Sequence, residues 1–283
     1  MNLLKKTTLI GGILALSLGF AATAQDTLTI ATETGTQEIM LKVKPPAWSP
    51  LPELISGLVF RSKETQSLQA DDFGNPGMVF VEQAWESWNT TDGSAGKSCA
   101  DCHGEPAKMA GVRAVMPKYN KDKGEMWTLE MYINNCRTDR MGADAWKWNS
   151  GSMVSMTGLI SLQSRGMPMN VAIDGDAAPY WEQGKEMYYS STGQLELSCA
   201  NCHEDNYDNY IRADHLSQGQ INGFPAYRLK NAKLNSIHNR FKGCIRDTRA
   251  ETYKEGSPEF IALEVYVASR GNGLSVEGPS VRN

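Results

Sequence analysis

Two pentapeptides, Cys99-Ala100-Asp101-Cys102-His103 and Cys199-Ala200-Asn201-Cys202-His203, stand one hundred residues apart in a chain of 283. CxxCH is the attachment pattern of c-type haem. The two thiols form thioethers with the haem vinyl groups, and the adjacent histidine takes the proximal position on iron. Cys99, Cys102, Cys199 and Cys202 are therefore the candidate haem-binding residues, with His103 and His203 as proximal ligands. The expectation is two covalently bound haem c groups and electron chemistry.

The second axial ligands decide what that chemistry is. Methionine is the usual partner in electron-transfer cytochromes c, but none follows Met187. Beyond His203 the remaining sulfur or imidazole donors are His215, His238 and Cys244. Only Cys244 has a counterpart in the first half, Cys136, and each is followed three residues later by aspartate, Asp139 and Asp247. Met141, Met153, Met156, Met167 and Met169 remain open to the first iron, although scattered methionines commonly fill cores. If both haems share one scheme it is His/Cys, with metal ligands His103, Cys136, His203 and Cys244. The competing use of the two spare cysteines is a disulfide. That would bring equivalent positions of two domains, each facing its own haem, within about 7 Å, and it is not expected.

The surroundings of Cys244 differ from those of Cys136. Arg240, Lys242, Arg246 and Arg249 all lie within five residues of Cys244. Positive charge favours a thiolate, and an arginine fork suits an oxyanion such as a sulfonate. Arg137 and Arg140 give Cys136 a weaker version. A basic run is ordinarily a solvated face. With a haem-bound thiolate at its centre, an anion-processing site is the better expectation, with Cys244 and Arg240 as catalytic candidates.

The elements that must hold these residues repeat. Glu82-Gln83 precedes Cys99 by the interval that separates Glu182-Gln183 from Cys199, and each half closes on Ser-Arg-Gly, at 164–166 and 269–271. A period near a hundred residues means duplicated domains, not a solenoid. Apolar spacing predicts helices over 80–89, 180–189 and 126–134. A last helix opens at Pro258 and runs to Gly271. The fold class is mainly α: two tandem cytochrome c-like haem domains, 76–175 and 176–283, with an N-terminal extension. The extension, residues 25–75, carries Pro45, Pro46, Pro50 and Pro52 and a possible helix over 56–71. An arm packed on the domains or a partner and a disordered tail are equally open for it. Residues 1–24 read as a signal peptide, with Lys5 and Lys6 ahead of an apolar run and Ala22-Thr23-Ala24 as cleavage site. Together with CxxCH this predicts a periplasmic protein with no stable membrane insertion. Its 28 basic and 32 acidic side chains give a formal net charge of −4. That balance argues against a nucleic-acid partner.

These residues resemble one family: SoxA, the dihaem cytochrome subunits of SoxAX complexes in sulfur-oxidising bacteria. The resemblance covers nearly the whole mature chain. It rests on both CxxCH motifs, the paired later cysteines, Arg240-x-Lys242-Gly243-Cys244 and the segment Asp72-Phe73-x-Asn75-Pro76-Gly77. It implies an L-cysteine S-thiosulfotransferase that joins thiosulfate to a cysteine of the carrier SoxYZ, with two electrons leaving through the haem of SoxX. It further implies that Cys244 ligates the second haem and carries sulfane sulfur as a persulfide, and that Arg240 holds the sulfonate oxygens. The first haem, on His103 and Cys136, would lie away from catalysis. A dihaem thiosulfate dehydrogenase forming tetrathionate is the rival, and a non-catalytic electron-transfer cytochrome stands behind it.

Overall fold

A hairpin opens the described part of the chain, residues 26–283 of this computed structural model; the expected leader lies outside it. Strands Thr27–Thr32 and Gly35–Met40 pair antiparallel from Thr27↔Met40 to Thr32↔Gly35. Their alternation places Ile30 and Ile39 inward on Leu41 and Leu58. A second small pair joins Lys42–Val43 to Leu54–Ile55. Helix α1 (Lys63–Gln69) begins where the Ser62 hydroxyl accepts the Thr65 N–H. The helix expected over 56–71 is thus confined to its second half. Ser56 turns the chain instead, its hydroxyl accepting the Leu58 N–H at 3.1 Å.

The extension is an arm packed on the domains. Arg165 forks onto Asp72 at 2.6 and 2.8 Å and its backbone carbonyl accepts from Gln37 Nε2. The Asn75 side chain accepts the Gly77 N–H at 2.9 Å and donates to the Pro279 carbonyl at 3.0 Å. The Asp72-to-Gly77 segment is therefore the clasp that fixes the arm to both halves.

Each half repeats one helical plan. The first has α2 (Met78–Asn89), α3 (Cys99–His103), α4 (Leu129–Asn135), a wider π-helical turn over Cys136–Met141, and α5 (Gly151–Gln163). The second has α6 (Ala178–Tyr189), α7 (Cys199–His203), α8 (Ile237–Asp247) and α9 (Pro258–Ser269). In each half the first helix packs on the last, α2 on α5 and α6 on α9. The α6–α9 crossing is close because Gly184 has no side chain: a Cβ there would sit 2.0 Å from the Ala262 carbonyl oxygen. Val81, Ala84, Trp88, Leu129, Met156 and Leu159 fill the first core. Trp181, Tyr188, Phe241, Phe260 and Tyr266 anchor the second.

The expected helix over 126–134 is corrected at its start. Met126 and Trp127 lie in a strand, Glu125–Trp127, paired with Lys118–Asn120, and the helix begins after Thr128. Met126 and Trp127 lie in the strand, both buried, and the spacing of Leu129 and Ile133 belongs to the helix, so the strand-like alternation of Trp127, Leu129, Met131 and Ile133 spans the boundary between the two. Among the described residues, no helix is long and apolar enough to cross a membrane.

Candidate haem and thiolate site

The two CxxCH segments form single helical turns with reciprocal caps. Ser98 donates its N–H to Asp101 at 2.7 Å while its hydroxyl accepts the Asp101 N–H at 3.2 Å. Ser198 and Asn201 repeat the pattern at 2.9 and 3.3 Å. Such a box satisfies two otherwise orphaned N–H groups and sets the entry of the chain. The Ser-Cys-x-Asp/Asn spacing carries this signal, which motif reading alone passes over. The loop before each turn is tied to the end of the cysteine-bearing helix. Ala95 N–H donates to the Met141 carbonyl at 3.0 Å, and Leu195 N–H to the Thr248 carbonyl at 3.2 Å. Attachment turn and later cysteine are thereby brought together in each half.

In the second half the structure gathers Cys199, Cys202, His203, Arg240 and Cys244. Burial raises the Cys199 thiol to about 12, with the neighbouring Cys244 adding to it. Cys202 is also raised, by burial and by Cys244. His203 Nδ1 lies 2.7 Å from the Ser217 carbonyl. Burial lowers its pKa to about 4, so the imidazole is neutral, donates from Nδ1 and presents the Nε2 lone pair. That is the tautomer an iron ligand needs. Among the described residues no two cysteines form a disulfide.

The other two histidines are committed elsewhere. His238 is fully buried, accepts the Gly256 N–H on Nδ1 at 3.0 Å, and sets Nε2 3.0 Å from Glu264. Trp148 stacks on its ring at 5.1 Å. His215 is held by Asp208 at 2.9 Å and stacked on Tyr210. In the first half Cys136 lies close enough to Cys99 to raise its thiol, after burial. Met153 and Met156 are buried in packed interior.

Arg240 and Cys244 share one face of α8, four residues apart. Cys244 is the largest influence on Arg240 and raises its pKa. Among the described residues, the Arg240 guanidinium has no ion pair. It opens with Arg228, Lys230, Lys242 and Arg246 onto a cleft of about 400 Å³, floored by Asn231, Asn235, Asn239 and Gly243, with no carboxylate in its wall. Such a wall is built for an anion.

The first half has no equivalent. Arg137 is buried, pairs with Asp92 at 2.8 Å, donates to the Asp144 carbonyl and lies 3.9 Å from the Trp146 ring centre. It is spent on internal contacts, so the weaker basic surrounding expected for Cys136 rests on Arg140. Arg140 is exposed.

Haem fits the second site by a further observation. Tyr188 Oη and Arg270 Nε are buried donors without a partner among the described residues. Arg270 stacks 4.4 Å from the Tyr188 ring centre, and its charge acts on Cys199. Two cysteines outside any disulfide, a neutral imidazole and unspent donors suit a covalently held macrocycle bearing carboxylates.

Comparison with known proteins agrees with this geometry. The family model described as SoxA/TsdA, cytochrome c domain, matches residues 83–169 and 183–276. The chain is 56% identical over 283 residues to the L-cysteine S-thiosulfotransferase subunit SoxA of Paracoccus pantotrophus, covering 98% of each. It is 61% identical over 232 residues to the corresponding subunit of Rhodovulum sulfidophilum, covering 82% of this chain and 81% of that one. It also superposes on a chain of the SoxXA crystal structure from P. pantotrophus with a TM-score of 0.90 at 57% identity. That match covers 92% of this chain and 99% of the other.

Proposed function

The chain belongs to the SoxA family of cytochromes c, and from that premise we propose that it is the catalytic subunit of a periplasmic L-cysteine S-thiosulfotransferase. Thiosulfate is joined through its sulfane sulfur to a cysteine thiol of a SoxYZ carrier. One sulfur–sulfur bond forms, the thiol proton is released, and two electrons leave through the haem of a SoxX partner. The observation that carries this reading is the unpaired Arg240 beside Cys244 in a wall of cations.

The residues divide the work. Cys199 and Cys202 would hold the second haem and His203 and Cys244 would ligate its iron, with Cys244 carrying a sulfane sulfur as a persulfide. Haem c supplies a one-electron acceptor beside that sulfur. Arg240 takes the sulfonate oxygens in a forked grip, and Arg228 and Lys242 raise the local concentration of the dianion. His103 and Cys136 ligate a first haem on Cys99 and Cys102, apart from the reaction. The domains run over 76–175 and 176–283.

Two haems per chain are expected from two CxxCH turns with the same cap. Intact mass after periplasmic expression should exceed the processed chain by two haem units; a gain of one removes the dihaem reading. Thiolate ligation is tested by electron paramagnetic resonance. Cys244→Met should lose one of two thiolate-type low-spin ferric signals, whereas an unchanged spectrum would put the ligand elsewhere. Catalysis itself is tested by incubation with SoxX, thiosulfate and reduced SoxYZ. A mass gain on SoxYZ supports the transferase, and tetrathionate with unmodified SoxYZ supports the dehydrogenase.

A further inference from the structure

The N-terminal arm stands outside the haem repeat, yet it reaches the proximal side of the second haem site. Gln218 is fully buried. Its Oε1 accepts the Ile55 N–H at 2.8 Å, and its Nε2 donates to the Glu53 carbonyl at 3.0 Å. Both partners belong to the arm. The residues on either side of Gln218 grip His203: the Ser217 carbonyl lies 2.7 Å from Nδ1, and Gly219 faces the ring. Gly219 has a φ of +74°, and a Cβ there would stand 2.8 Å from His203 Cγ and 3.0 Å from Nδ1. On its other side the Gln218 carbonyl accepts from Arg270 Nη2 at 3.3 Å, and Arg270 pairs with Glu204, the residue after His203. Among the described residues, His103 has no such carbonyl; its ring lies 5.8 Å from that of Trp88.

We infer that Gln218 is a positioning residue through which the arm sets the proximal bond of the second haem alone. Its two bonds to arm backbone fix the 217–219 turn, and the turn fixes the imidazole. A strong Nδ1–H bond to a carbonyl makes the ligand more basic. A more basic ligand favours ferric iron. The asymmetry assigns that effect to the haem beside Arg240 and leaves the first haem without it. The arm is thus part of the catalytic half's electronics, not only a clasp.

The inference rests on the proposed dihaem His/Cys reading, which the mass and paramagnetic resonance of the same holoprotein report separately. The test is a potentiometric titration of each haem in the SoxX complex, in wild type and two variants. Gln218→Met removes both arm bonds at nearly constant volume. Gly219→Ala places a methyl against the imidazole and does not depend on Gln218 packing, so it carries the test if the first variant does not accumulate. Loosening the bond should raise the second haem's potential, with a ferrous-to-ferric ratio about tenfold higher at fixed potential, or about 59 mV for one electron. The first haem should not move. An unchanged second-haem potential in either holoprotein, or an equal shift of both haems, overturns the inference.

Discussion

Arg240→Ala is expected to lower thiosulfate-dependent turnover on the order of 10²–10³-fold, the usual loss when one preorganised donor to developing charge is removed. The haem spectrum should stay in place, because Arg240 is not among the ligands. The side chain is unpaired, lies on the Cys244 face of α8, and opens onto a cleft without carboxylates. A dianion entering that cleft meets five cations, of which Lys242 already lies 3.8 Å from Glu255, and Arg240 has Cys244 as its strongest neighbour. If the guanidinium stabilises charge as the sulfur–sulfur bond forms, kcat falls. If it serves only to bind thiosulfate, KM rises and kcat holds. The control is Arg140→Ala, near Cys136 and exposed, which should leave turnover near wild type. Arg137→Ala would be a poor control. Arg137 is buried between Asp92 and Trp146, so its loss would unsettle the whole domain. Equal small losses for Arg240→Ala and Arg140→Ala would remove the cleft from catalysis.

What made this site legible in sequence was covalent chemistry. Thioether attachment needs two thiols and an imidazole at one fixed spacing, so Cys99 to His103 and Cys199 to His203 declare themselves. The duplication then paired Cys136 with Cys244 and made His215 and His238 stand out as unmatched. The structure gives each of those histidines its own task, His238 against Gly256 and Glu264, His215 against Asp208. Helices α2 and α6 were legible because each buries one stripe at helical spacing, Val81, Ala84 and Trp88 or Trp181, Gly184 and Tyr188, and α9 because it is buried along nearly its whole length. The strand at Glu125–Trp127 was not, because it is three residues long and runs directly into the helical spacing that follows.

Long-range contacts left no local mark. Gln218 touches Ile55 across 163 residues, and nothing in Ser217-Gln218-Gly219 announces a partner in the arm. The Ser-Arg-Gly repeat showed a shared position but not a shared use. Arg165 forks onto Asp72 of the arm, whereas Arg270 pairs with Glu204 beside His203. At position 104 the first half has glycine where the second has Glu204, so the first arginine was free to take up another acid. Duplicated helices kept their packing while the polar partners diverged, and that divergence separates the two haem environments.

The second large effect concerns the bond between arm and body. Glu277 is fully buried and accepts from Gln69 at 2.9 Å, Asn222 at 3.1 Å and Arg282 at 2.6 Å, with the Ser56 hydroxyl as a fourth donor. Ser56 and Gln69 are arm residues and Arg282 ends the short C-terminal strand Ser280–Arg282, so one carboxylate joins the arm to that strand. Burial pushes the Glu277 carboxyl upward, but Arg282 and the hydrogen bonds from Ser56 and Gln69 outweigh it and hold the pKa below the ordinary 4.5. Glu277→Ala would leave these donors facing an emptied pocket. Removing one partner of a buried pair costs about 3–5 kcal/mol. At roughly 2–4 °C per kcal/mol for 150–250 residues, the melting temperature should fall by about 10 °C. Glu277→Gln keeps an acceptor but not the charge, and should lose less. The pH dependence has a definite sign. A carboxyl whose folded pKa lies below its unfolded value stabilises the protein above the unfolded value, and that contribution fades as pH falls through the folded one. The stability gap between wild type and Glu277→Gln should therefore be full at neutral pH and close below 4.5. Thermal unfolding followed across that range checks it. A gap that stays constant down to strongly acid pH would mean that Glu277 acts by shape and hydrogen bonding, not by its charge against Arg282.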